Sequence, residues 1–100
     1  MVRHLILWKL KESLTVEEKK QVLLDMKENL EGLVGMVPGL VSLKIVINEM
    51  ESSNADVMLD SVLESEEALK GYQGHPDHVA VANTYVRPFT EVRMCMDYVE

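Results

Sequence analysis

Residues 2 to 10, VRHLILWKL, set Val2, His4, Ile6 and Trp8 on one side of an extended chain and Arg3, Leu5, Leu7 and Lys9 on the other. Both sides carry large apolar groups, so the pattern predicts a strand that wants cover on both faces. Thr15 then opens a capping box, TVEE, in which its hydroxyl accepts the Glu18 amide and Glu18 reaches back. Val22, Leu23, Met26, Leu30, Leu33 and Val37 follow at spacings of one, three and four, the stripe of an amphipathic helix of roughly five turns. Gly35, Pro38 and Gly39 end it. LVSLKIVIN, 40 to 48, alternates as a second strand, and ESSN, 51 to 54, reads as a polar turn. ADVMLDSVLE, 55 to 64, is a third strand. Its Asp56 and Asp60 share a face with Met58 and Val62, which suggests a sheet edge or a polar patch.

Ser65 with Glu66 and Glu67 behind it starts a second helix, EEALKGYQ, that runs into Gly74 and His75. Pro76 is placed to be the first residue of a further helical segment, PDHVAVANTYV, which Pro88 ends before a last strand, TEVRMCMDYV, 90 to 99. The order strand, helix, strand, strand, helix, strand is the α+β, ferredoxin-like βαββαβ arrangement, in which two helices cover one face of a four-stranded antiparallel sheet. The other face keeps Leu, Val and Met. An apolar face of that extent marks an interface, so the expectation is a homodimer joined through the outer sheet faces and closing an α/β barrel. Residues 1–100 read as one domain, with no repeat or linker.

Composition narrows the partners. The net charge is −7 with the basic residues scattered, which argues against nucleic acid and anionic membrane. No stretch approaches the length of a membrane span or has the long apolar run of a signal peptide, so a cytoplasmic protein is expected. Only five aromatic residues are present, so Leu, Val, Ile and Met must build the core, with methionine as adaptable filler. Cys95 is alone in an apolar stretch and is expected to be a small buried hydrophobe.

Candidate chemistry gathers in GYQGHPDH, 71 to 78. His75 precedes a proline, which pushes its backbone toward extended geometry and lets its side chain cap the next helix, and Asp77 suits the first turn of that helix. His78 and Tyr72 each have an ordinary role open to them, a core histidine bonded to a carbonyl and a core tyrosine with a buried partner. His4 on an apolar strand face is more often a satisfied core histidine than a base. His75, Asp77, His78 and His4 have a spacing that is common by chance, and with no Cys cluster or H-E-x-x-H pattern neither a metal nor any other cofactor is expected.

HLILWKLK at the start, VPGLVSL after the long helix, LESEEALKGYQGHPDHVAV and the closing MDYV together resemble the stress-responsive α/β-barrel (Dabb) domain family along the whole chain. The resemblance implies a ferredoxin-like monomer and a dimeric barrel. Most members have no established activity, and one plant member, a polyketide cyclase, performs an aldol closure without metal or organic cofactor. Its catalytic tyrosine and histidines fall here on Tyr72, His78 and His4. An imidazole is a suitable base for a proton alpha to a carbonyl, and a phenol can donate to the enolate that forms. The lining departs from that cyclase: where it has aromatic residues along the long helix, this chain has Val22, Leu23, Met26 and Leu30, and Trp8 adds bulk, so the plant substrate is not carried over.

The reading is a dimeric domain of that family without an established activity, whose apolar cavity is filled or takes a small apolar or polyketide-like ligand. One alternative is a cofactor-independent lyase or cyclase using His78 and Tyr72. Another, on fold analogy, is a cofactor-free monooxygenase or haem-degrading protein of the related dimeric barrels. An enzyme needs an open cavity reached by His78; a structural module would have that volume packed by Trp8 and methionines.

Overall fold

The computed structural model describes residues Met1–Glu100. β1 (Val2–Leu10) pairs antiparallel with β3 (Val57–Leu63) on one side and β4 (Thr90–Val99) on the other, and β2 (Leu40–Ile47) closes the sheet beyond β3, in the order β2-β3-β1-β4. The limits of β1 and β4 coincide with those of the alternating stretches that predict them. β3 is interior, so its aspartates do not mark an edge. Asp60 sits on the outer face between Lys44 and Leu5 and accepts from Arg3 Nη1 at 2.6 Å, while Asp56 Oδ2, just before the strand, accepts the Leu10 amide at 2.7 Å.

α1 (Val16–Glu31) begins with the expected box: Thr15 Oγ1 accepts the Glu18 amide at 3.1 Å and Glu18 Oε1 accepts the Thr15 amide at 2.9 Å. The helix stops at Gly32, earlier than the apolar stripe suggests. Leu33 and Val37 are buried, but from a turn in which the chain reverses toward β2. The reversal uses Gly35 at φ +89° and Gly39 at φ +81°. At Gly39 a Cβ would lie 2.6 Å from the Ala68 Cβ, so glycine lets α2 (Glu66–Gly74) approach the start of β2.

His75 separates α2 from α3 (Pro76–Val81), which continues into a π-helical turn at Ala82–Val86 and a 3-10 turn at Arg87–Phe89. The core lies between the helices and the inner sheet face and contains Val2, Ile6, Trp8 and Leu10 of β1, Leu59 and Leu63 of β3, Met26 and Leu30 of α1, and Tyr72 of α2. β2 is an edge strand whose outward backbone is occupied: Glu31 Oε2 accepts the Ile45 amide at 2.9 Å, and Lys27 Nζ donates to the Ile45 carbonyl at 3.1 Å. Such side-chain capping blunts pairing with another chain.

The helices lie against β1, β2 and β3 and leave β4 bare. Every residue from Glu91 to Val99 is exposed, including the inward-pointing Arg93, Cys95 and Asp97. Cys95 is therefore not the buried hydrophobe its neighbours suggest; alternation fixes its face, but no helix reaches over it. On the outer face the rows Val46–Met58–Leu7–Met94 and Lys44–Asp60–Leu5–Met96 cross the sheet, with Leu7, Val46, Met94 and Met96 exposed. No helix is long and apolar enough to cross a membrane.

Candidate functional site

His4 occupies the middle of β1 on the helix-facing side and is 1% exposed. Its carbonyl accepts from Ser61 Oγ at 3.0 Å, and its Nδ1 is hydrogen-bonded to the Asp97 carboxylate on the neighbouring β4. A carboxylate only accepts, so Nδ1 carries the hydrogen and Asp97 fixes the ring and its tautomer. Tyr72 meets the His4 ring edge-on, with centroids 6.1 Å apart and planes at 67°. On its other side Tyr72 lies against His78, at 4.3 Å and 43°. The fold thus sets His4, Tyr72 and His78 in one row, from strand through α2 to α3.

Within this row Tyr72 is enclosed and its hydroxyl has no protein partner. Burial pushes its pKa well above the usual tyrosine value, so it remains a neutral donor. His78 is half-buried. Its Nδ1 lies 3.2 Å from the Gln73 carbonyl and must donate there, which leaves the lone pair on Nε2. Burial lowers the His78 pKa despite that bond, and the positive field of Arg87 and Arg93 adds to the shift, so the ring is neutral at pH 7.

His78 borders a cavity of about 80 Å³ walled by Ile6, Trp8, Leu30, Leu59, Ala82 and Val86, with Arg87, Thr90 and Arg93 at its polar side. Trp8 lines this space without filling it. His4 and Tyr72 stand behind His78 and not on the cavity wall, so of the three only His78 reaches the cavity. Arg87 Nη1 donates to Asn83 Oδ1, and neither Arg87 nor Arg93 is paired with a carboxylate. The π-helical turn precedes Arg87 and strand alternation turns Arg93 inward. Single arginines on a helix end and an edge strand read as surface cations, which is why neither stands out in the sequence.

His75 is apart from this row. It is the N-cap of α3, with Nδ1 accepting the Asp77 amide at 3.1 Å, the role its place before Pro76 predicts. Cys95, by contrast, enters the neighbourhood of His4: its Sγ lies 3.7 Å from His4 Nδ1 and 3.5 Å from Asp97 Oδ1.

The model of the stress responsive A/B barrel domain matches residues 2–100. A dimeric, ferredoxin-like protein of unknown function from Bacteroides fragilis superposes with a TM-score of 0.91 at 30% identity, covering 97% of this chain and 93% of that one. A Dabb family protein with a ferredoxin-like fold from Mesorhizobium loti gives 0.75 at 23% identity, over 99% and 95% of the two chains. A hydroxynitrile lyase from Passiflora edulis gives 0.73 at 17% identity, over 97% and 90%, a likeness of fold. No curated protein matches the chain.

Proposed function

Since the chain belongs to the stress responsive A/B barrel family, we propose that it works within that fold as an acid–base catalyst of the lyase or cyclase class, acting on a small carbonyl compound without a cofactor. The observation that carries this reading is His78: a desolvated imidazole, held by the Gln73 carbonyl so that Nε2 is the basic atom, on the wall of a cavity that also carries two unpaired guanidinium groups. A base whose pKa is lowered by burial is free to accept a proton at neutral pH. The substrate binds with an anionic end toward Arg87 and Arg93. His78 Nε2 takes the proton alpha to its carbonyl, and the guanidinium groups stabilise the enolate. The enolate then expels a leaving group or attacks a second carbonyl, and the imidazolium returns its proton to the product.

Tyr72 acts first by packing, since its ring fixes the angle of His78, and Asp97 through His4 stiffens the ring behind it. A cavity of about 80 Å³ lies well below the roughly 300–1,000 Å³ of pockets that hold drug-sized ligands, which favours a short oxo acid over a long polyketide. The hydroxynitrile lyase of Passiflora edulis is a precedent for lyase chemistry on this fold, at a sequence distance that transfers no residue roles. We also infer that two chains associate through the outer face around Leu7, Met94 and Met96, a reading supported by that exposed apolar row and by the dimeric state of the relative from Bacteroides fragilis.

The test is proton exchange. With short 2-oxo and 3-oxo acids in deuterated buffer, NMR should show α-hydrogen exchange accelerated by the protein, and His78→Gln should lose about 10²- to 10⁴-fold of that rate. Equal exchange by the wild type and His78→Gln, across the set of acids, sinks this assignment.

A further inference from the structure

The row of His4, Tyr72 and His78 leaves one group without a role: the thiol of Cys95. It is exposed on β4, one alternation from Asp97, and faces the same ring nitrogen that Asp97 holds. That shared nitrogen excludes one reading at once. In a Cys-His-Asp nucleophile the thiol and the carboxylate must engage opposite nitrogens of the imidazole, so that one orients the ring while the other loses a proton. Here both converge on Nδ1.

Convergence of sulfur, imidazole nitrogen and carboxylate oxygen on one point is the arrangement of a metal site. We propose that His4 Nδ1, Cys95 Sγ and Asp97 Oδ1 bind a divalent transition metal ion of the zinc type, with the fourth position open to water or a small ligand. Tetrahedral zinc with Zn–S near 2.3 Å and Zn–N and Zn–O near 2.0–2.1 Å implies ligand separations of about 3.6 Å from sulfur to nitrogen or oxygen. The two sulfur distances are 3.7 and 3.5 Å, so those ligands already stand at tetrahedral spacing. Only the nitrogen–oxygen pair is too close, because it shares a hydrogen, and it must open to about 3.4 Å. Asp97 is free to make that move, since its side chain is 37% exposed at the uncovered end of β4.

The donor set selects the ion. A thiolate and an imidazole favour zinc over magnesium or calcium, which take oxygen ligands. Loading balances as follows: the His4 hydrogen moves from Nδ1 to Nε2, the Cys95 thiol releases one proton to solvent, and the ion exchanges bound waters for three protein ligands. Entry is open as well, because Asp97 lines a groove of about 310 Å³ between α2 and the end of β4. β1 and β4 are adjacent strands with His4 opposite Asp97, so the ion ties residues 91 positions apart in sequence across one ladder.

The experiment is a cobalt titration of the chain in its native assembly, with zinc as the competitor. The expected result is one cobalt per chain with a thiolate-to-cobalt charge-transfer band, displaced by zinc. Cys95→Ser should abolish the band, and Asp97→Asn should weaken binding by at least about tenfold, the lower end of what even outer-shell changes cost. Both positions are exposed, so both variants keep the core intact. Absence of the band overturns the site, and so does a band of unchanged affinity in Asp97→Asn, which would mean a cysteine binding metal by itself. The readout is spectral, so it stands or falls separately from proton exchange by His78.

Discussion

Tyr72→Phe should make this protein more stable while leaving its chemistry in place. The phenol ring is 1% exposed, packs between His4 and His78, and carries a hydroxyl that no protein atom partners. A hydroxyl buried without a hydrogen bond costs roughly 1–3 kcal/mol in proteins. Phenylalanine keeps the ring, its rotamer and both aromatic contacts, so the substitution recovers about 1–2 kcal/mol of that cost. In a chain of this length 1 kcal/mol corresponds to about 4–8 °C in Tm, so the variant should melt at least about 4 °C higher. The measurement is thermal and urea unfolding of both proteins at one chain concentration, since association makes Tm concentration-dependent. Phenylalanine also keeps the packing that fixes the angle of His78, so α-hydrogen exchange should be unchanged in the same variant. A variant that melts lower than the wild type would refute the reasoning, because it would mean that the hydroxyl is bonded in the folded protein.

Other perturbations test other parts of the structure. Because burial holds the folded His78 pKa below its ordinary value, the unfolded chain binds more protons below about pH 6.5, and this contribution to stability is complete above that pH and lost as pH falls through the window. The wild-type minus His78→Gln stability difference should therefore shrink on acidification below pH 6.5; a difference that is flat with pH removes the desolvation argument. Leu7→Glu should convert a dimer to monomer or unfold it, read by light scattering, because the substitution places a charge in the middle of the exposed apolar row. An intact dimer would move the interface elsewhere. Gly39→Ala should cost roughly 2–4 kcal/mol, from the left-handed backbone and from overpacking against Ala68, as measured by denaturant unfolding. A cost below about 0.5 kcal/mol would show that α2 shifts freely on the sheet.

Local signals carried most of the fold. Period-two alternation delimited β1 and β4, and the Thr15 box and the His75–Pro76 junction placed two helix starts, because each depends on neighbouring residues alone. The end of α1 was less legible. Leu33 and Val37 extend the apolar stripe past Gly32, and burial rewards an apolar side chain in a turn as much as in a helix. Alternation put Cys95 and Asp97 on one face with Arg93, but the extent of helical cover is a tertiary property, and so a cysteine with apolar neighbours ended exposed beside a buried histidine. The row of His4, Tyr72 and His78 emerged from resemblance and topology together. Arg87 and Arg93 gave no signal, because a cation facing a cavity and one facing solvent look the same in a sequence.

The uncovered inner side of β4 has a consequence for how this molecule can change. In most sheets an inward position is constrained by the volume of whatever helix lies above it. Position 95 points inward without such a neighbour and positions 93 and 97 meet helix residues only across open space, yet all three stand beside Trp8, Ile6 and His4 across the ladder. Position 95 can therefore change at little expense to folding while altering the ligands next to the buried histidine, whereas position 97 must keep an acceptor for His4 Nδ1. The scaffold thus separates the residues that hold the sheet together from those that give it a chemistry, and new activities can be written on a single strand.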